Sequence, residues 1–139
     1  MKNILYFLFF SFLIISCCDD LVETDELIGD WEFEREVTPE SSLDTFEIND
    51  KSGVFTFSTN GFGRRESVIN IFDFELEWSI NDCGKQISIR KTGFTAIDTR
   101  TYDIERIDDD NIIFEGIIRR EVTPDSTIET IERFELTRI

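Results

Sequence analysis

Three cysteines, no histidine and an excess of carboxylates set the chemistry open to this chain. Without imidazole there is no Ser-His-Asp triad, no Cys-His dyad and none of the ligands that most catalytic zinc sites use. The thiols are Cys17, at the end of an apolar run, Cys18 beside it, and Cys83 in a predicted turn. Asp108-Asp109-Asp110 offers oxygen ligands of the kind calcium takes, but it lacks the alternating spacing and central glycine of a dedicated loop and reads as a hairpin turn. Glu32, Glu34, Asp73, Glu75 and Glu77 fall on the wet faces of predicted strands. A catalytic acid needs a sheltered site to raise its pKa, and no motif here places two acids inside. The chain is therefore expected to be no enzyme and to carry no cofactor and no metal.

The elements that position these residues begin with the N-terminus. Met1-Lys2-Asn3 is a short basic start, and residues 4–15 are an apolar run broken only by Ser11. That run falls well short of the roughly 20 residues of a transmembrane helix and fits the apolar region of a secretory signal. It ends in Ile14-Ile15-Ser16-Cys17, which resembles the lipobox of bacterial lipoproteins. The resemblance implies that the Cys17 thiol takes a diacylglyceryl group, that cleavage follows small Ser16, and that acylation of the freed amine adds a further chain. Several chains make a stable anchor where one is marginal. Residues 1–16 are then a signal peptide and residues 17–27 a lipidated tether. Cys18-Asp19-Asp20 with Glu23, Asp25 and Glu26 makes that tether acidic. It is similar to the acidic signals by which some Gram-negative lineages send lipoproteins to the cell surface. The expected location is the outer membrane, at the cell surface rather than its periplasmic face. Export permits a disulfide between Cys18 and Cys83, but spacing alone does not show connectivity, and two separate thiols are the plainer reading.

Fourteen basic residues face 30 acidic ones, a net charge of −16, and removing residues 1–16 takes away one lysine and no acid. Such a surface repels nucleic acid and anionic headgroups, so the expected membrane contact is the lipid on Cys17 alone.

Residues 28–139 read as one all-β domain. Between residues 17 and 139 there are seventeen isoleucines and thirteen threonines against one alanine, Ala96. β-branched residues favour strands and alanine favours helix. Trp31, Phe33 and Val37 alternate with Glu32, Glu34 and Glu36, and Phe72, Phe74, Leu76, Trp78 and Ile80 alternate with Asp73, Glu75, Glu77 and Ser79. Period-two patterns of this kind describe strands with one dry and one wet face. Turn signals separate them: Asn60-Gly61, residues 81–85, residues 108–111, Thr38-Pro39 and Thr123-Pro124. The predicted strands are 30–38, 44–58 with a kink near Gly53, 62–67, 71–80, 86–92, 98–107, 111–122 and 127–138. Eight short strands joined by hairpins form an antiparallel up-and-down barrel, which removes its edges by closing. Residues 35–41 are echoed at 120–126, and eight up-and-down strands put these two connections at the same end.

Gly29-Asp30-Trp31, then residues 56–63, 77–80, 86–89 and 102–107, and the ending Phe134-Glu135-Leu136-Thr137-Arg138-Ile139 resemble, in that order, the lipocalin-like domains of bacterial lipoproteins. The resemblance implies that Trp31 plugs the closed end and that Arg138 stacks across it, a cation–π contact of about 1–2 kcal/mol when partly desolvated. The predicted inner face collects Trp31, Phe33, Phe55, Phe57, Phe72, Phe74, Trp78, Tyr102 and Phe114, the candidate lining for a small hydrophobic ligand. So many rings in so short a chain favour a filled interior. Arg35 shares the inward parity, but its place near a strand end is expected to let it reach out to solvent. The expected function is ligand binding by a lipid-anchored envelope protein. The alternative is a filled barrel acting as an interaction module through rim loops 38–44 and 123–127.

Overall fold

The computed structural model describes residues 22–39, 50–69, 73–81, 83–93, 98–123 and 126–139. Eight strands follow one another: β1 (Gly29–Thr38), β2 (Ser52–Phe57), β3 (Phe62–Ser67), β4 (Phe74–Ile80), β5 (Gln86–Lys91), β6 (Thr99–Arg106), β7 (Asn111–Thr123) and β8 (Ser126–Arg138). Each pairs antiparallel with the next and β8 pairs back onto β1, closing an up-and-down barrel. The expected fold class and strand order hold. The early part of the second predicted strand (44–49), Phe72, Cys17 and Cys18 lie outside the described residues.

Alternation sets which side chains face inward. β2 and β3 bury every second residue, and Trp31 and Phe33 of β1 have no exposed surface. The rings interlock: Phe33 lies 4.9 Å from Phe55 and 5.4 Å edge-on to Phe134, Phe57 is 5.3 Å edge-on to Trp78, and Tyr102 is 5.7 Å edge-on to Phe134. Offset and edge-to-face ring pairs are favourable beyond their buried area. Gly53 makes room for this packing. A Cβ there would meet the Phe33 ring at 2.9 Å and collide with the Glu66 carbonyl.

One end of the barrel is sealed. A single helical turn, α1 (Thr24–Leu27), precedes β1, with the Glu26 carboxylate accepting the Glu23 amide at 2.9 Å. Leu27 is fully buried and Val22 nearly so, and the Leu27 carbonyl accepts the Trp31 indole N–H at 2.8 Å. Arg138, cross-strand partner of Trp31, lays its guanidinium 4.4 Å over the indole and donates to the carbonyls of Ile28 and Glu26. Part of the expected tether, residues 22–27, therefore belongs to the barrel's closed end. Two buried apolar side chains, Val22 and Leu27, dock it together with the Trp31 and Arg138 bonds to its carbonyls.

The turns follow their local chemistry. Gly61 takes φ +77° after Asn60, whose side chain accepts the Phe62 amide. The Asp108 carboxylate accepts the Asp110 amide at 2.9 Å and the Asn111 side chain, and these bonds hold its pKa below the usual range. Asp108 is thus engaged in its own turn, and Asp109 pairs with Arg106.

Candidate functional site

At the opposite end the inward stripe changes character. Moving along each strand toward that end, Trp31 and Phe33 are followed by Arg35, Gly63 by Arg65, Ile87 and Ile89 by Lys91, Tyr102 by Arg100, and Leu136 and Phe134 by Glu132. The alternation that fills the core therefore delivers charged side chains to the mouth. There they surround a cavity of about 70 Å³ whose lining includes these five, Asp50, Asp98, Phe55, Phe74, Ile89, Tyr102 and Phe134.

Glu132 is the keystone. It is 1% exposed, and three donors converge on its carboxylate: Arg35 Nε at 2.6 Å, Arg100 at 3.1 Å and the Tyr102 hydroxyl at 2.7 Å. Burial by itself would push the Glu132 pKa up. The charges of Arg100 and Arg35 and the Tyr102 hydrogen bond outweigh it, so the carboxyl stays below the ordinary glutamate value. Burial, reinforced by the Glu132 charge, pushes the Tyr102 phenol well above its usual value. A second buried acid, Asp50, accepts from Arg65 at 2.7 Å and from the Ser67 hydroxyl at 2.7 Å, and lies 3.5 Å from Arg35. Arg65 also stacks 4.7 Å over the Phe33 ring, so the ionic layer sits directly on the aromatic core.

Lys91 and Arg100 lie at the edge of this interior, to which Arg100 is tied by its bond to Glu132. They come from one hairpin, β5–β6, and their side chains keep 27% and 28% exposure. Both reach the same partner, Asp98, at 3.4 Å. That is longer than the roughly 2.7–2.9 Å of a good charge-assisted hydrogen bond. Burial and the neighbouring Arg100 charge lower the Lys91 pKa. Its ammonium lies 4.7 Å above the Phe74 ring.

Two expectations are corrected here. Arg35 does not reach out to solvent: its side chain is 7% exposed and bound to Glu132 and Asp50. β1 ends at Thr38, paired with Ile131, while β8 continues back to Ser126 beneath the long β7–β8 hairpin, so the end of β1 is not the rim of the wall. Two acids do lie inside, Asp50 and Glu132, each held by arginines of the same inward parity. Of the expected lining residues, Phe55, Phe74 and Tyr102 border the cavity. Trp31, Phe33, Phe57, Trp78 and Phe114 pack into the solid core. The Trp78 indole N–H donates to the Phe62 carbonyl at 3.1 Å. Cys83 is exposed in the β4–β5 turn. Among the described residues no three His, Cys, Asp or Glu side chains are grouped to hold a metal ion.

No family model matches this chain. No curated protein matches it either. Among solved structures, insecticyanin from the tobacco hornworm Manduca sexta, a lipocalin, superimposes with a TM-score of 0.58 at 12% sequence identity, over 87% of this chain and 68% of that one. At such identity the likeness concerns architecture. The closed eight-stranded meander, sealed at the Trp31–Arg138 end and carrying its inward charged residues at the other, is a lipocalin-like fold.

Proposed function

We propose that this is a lipid-anchored lipoprotein of the bacterial outer membrane, displayed at the cell surface, whose barrel captures a small molecule at its open end. The observation that carries the binding reading is the cup itself. The barrel keeps a cavity of about 70 Å³, floored by Phe55, Phe74 and Phe134 and walled by charged groups. Ligand sites commonly combine apolar walls with a few fixed polar groups, though at roughly 300–1,000 Å³ they are larger. This cup therefore suits a small molecule or one end of a larger one, and not a whole lipid. Binding is favoured over catalysis because Glu132 is held ionised by its cations and no imidazole is present. The anchoring half of the reading rests on Ile14-Ile15-Ser16-Cys17 and the acidic residues after it.

Native mass spectrometry of the gently extracted, intact protein tests the ligand. An extra mass that disappears on denaturation supports capture, and its value begins to identify the molecule. A bare chain mass that persists after incubation with envelope extract refutes it. That second outcome leaves a filled-barrel interaction module. Its supporting observation is the cross-strand pair Ile117 and Ile131, 63% and 46% exposed on the outside of the β7–β8 hairpin.

A further inference from the structure

The rim of the cup carries a recognition element whose chemistry can be named, and the inference rests on the small-ligand reading above. Arg35 and Arg65 hold Glu132 and Asp50 below the rim. Lys91 and Arg100 stand above them, partly exposed; both reach the half-exposed carboxylate of Asp98 at 3.4 Å, and Arg100 also donates to Glu132 at 3.1 Å. Of the described charged residues lining the cavity, four are basic and three acidic, in a chain that carries 30 acids against 14 bases. Burial first, and then repulsion from the neighbouring Arg100 charge, lower the Lys91 pKa, with Asp98 acting against them. An incoming anion would relieve that repulsion and complete hydrogen bonds that Asp98 makes only at long range.

We propose that Lys91 and Arg100 form the recognition pair for a short-chain carboxylate, whose apolar end rests on Phe55, Phe74 and Phe134. The size follows from the cavity. At roughly 10–15 Å³ of such volume per water-sized atom, about 70 Å³ accepts on the order of five heavy atoms. A four-carbon acid is near that limit. The charge of the head group follows from the two cations, and the apolar tail from the three rings.

Calorimetric or NMR titration of the intact protein with butyrate, 1-butanol and butylamine separates the possibilities. Butyrate is expected to bind at least about tenfold more tightly than the alcohol or the amine, the ratio that one charge-assisted hydrogen bond supplies. Lys91→Gln should weaken butyrate by about tenfold or more while leaving butanol unchanged, and Lys91→Arg should restore most of the loss. Equal binding of butyrate and butanol overturns the carboxylate assignment while leaving the small-ligand reading intact. Butyrate binding that Lys91→Gln does not change overturns the assignment of the recognition pair. Should none of the three probes bind, while native mass spectrometry shows a retained ligand, the carboxylate inference fails alone. If both experiments are blank, the two readings fail together.

Discussion

Glu132 is a carboxylate whose removal leaves two guanidinium groups and a phenol facing one another below the mouth. Breaking a buried ion pair from one side typically costs about 3–5 kcal/mol. Glu132→Gln keeps the shape and one acceptor, so urea unfolding at pH 7 should show a loss of about 3 kcal/mol. The folded pKa of Glu132 lies below its ordinary 4.5. Its contribution is therefore complete above the unfolded value and lost as pH falls through the folded one. The gap between wild type and Glu132→Gln should accordingly close in acid; a gap independent of pH would contradict the assignment. Tyr102 titrates in the opposite sense. With its phenol raised by burial and by Glu132, the ultraviolet phenolate signal of Tyr102 should appear only above the usual alkaline range, or on unfolding. Much of this was legible in the sequence. Arg35, Arg65, Lys91, Arg100 and Glu132 all occupy the inward parity of their strands. A search for buried rings passes over them. Alternation gives the direction of each side chain but not which strand outruns its neighbour, and that decides whether Arg35 meets water or Glu132.

The strands themselves could be read closely because one face is dry and the other acidic, so a slip of one residue would turn every side chain over. What periodicity does not encode is how far a hairpin projects and what docks from outside the sheet. β7 and β8 run 13 residues each, and β6 pairs with β7 only from Ile112 to Glu115. The beginning of the domain was hidden for a related reason: α1 is one turn long, too short to show a period, and its acidic residues mask the two buried apolar ones. Leu27→Ala should expose this element's role. Truncating a fully buried leucine costs about 2–5 kcal/mol, and it should also speed exchange of the Trp31 indole hydrogen, whose acceptor is the Leu27 carbonyl. Within the sheet, Gly53→Ala forces a Cβ against the Glu66 carbonyl and the Phe33 ring. An overpacking loss of about 1–3 kcal/mol is expected in thermal or urea unfolding.

Taken as one body, the molecule is an acidic barrel whose cations are gathered, in part, at one opening. A charge of −16 repels anionic surfaces, so in the lipoprotein reading proposed above the hold on a membrane would fall to the lipid. Cys17→Ala should abolish incorporation of labelled fatty acid and leave the signal uncleaved before residue 17, both read by mass spectrometry of the isolated protein. Unchanged labelling would place the modification elsewhere.

The docking of residues 22–27 onto the closed end gives such an anchor a direction. Five peptide bonds separate Cys17 from Val22, a leash of at most about 18 Å. With Cys17 lipidated as proposed, a barrel moored so close beneath its Trp31–Arg138 seal would stand on its base, with the lysine and arginine at its lip pointed outward. A guest would then come to it from the water, and a lipid leaving the same bilayer would meet the wrong end.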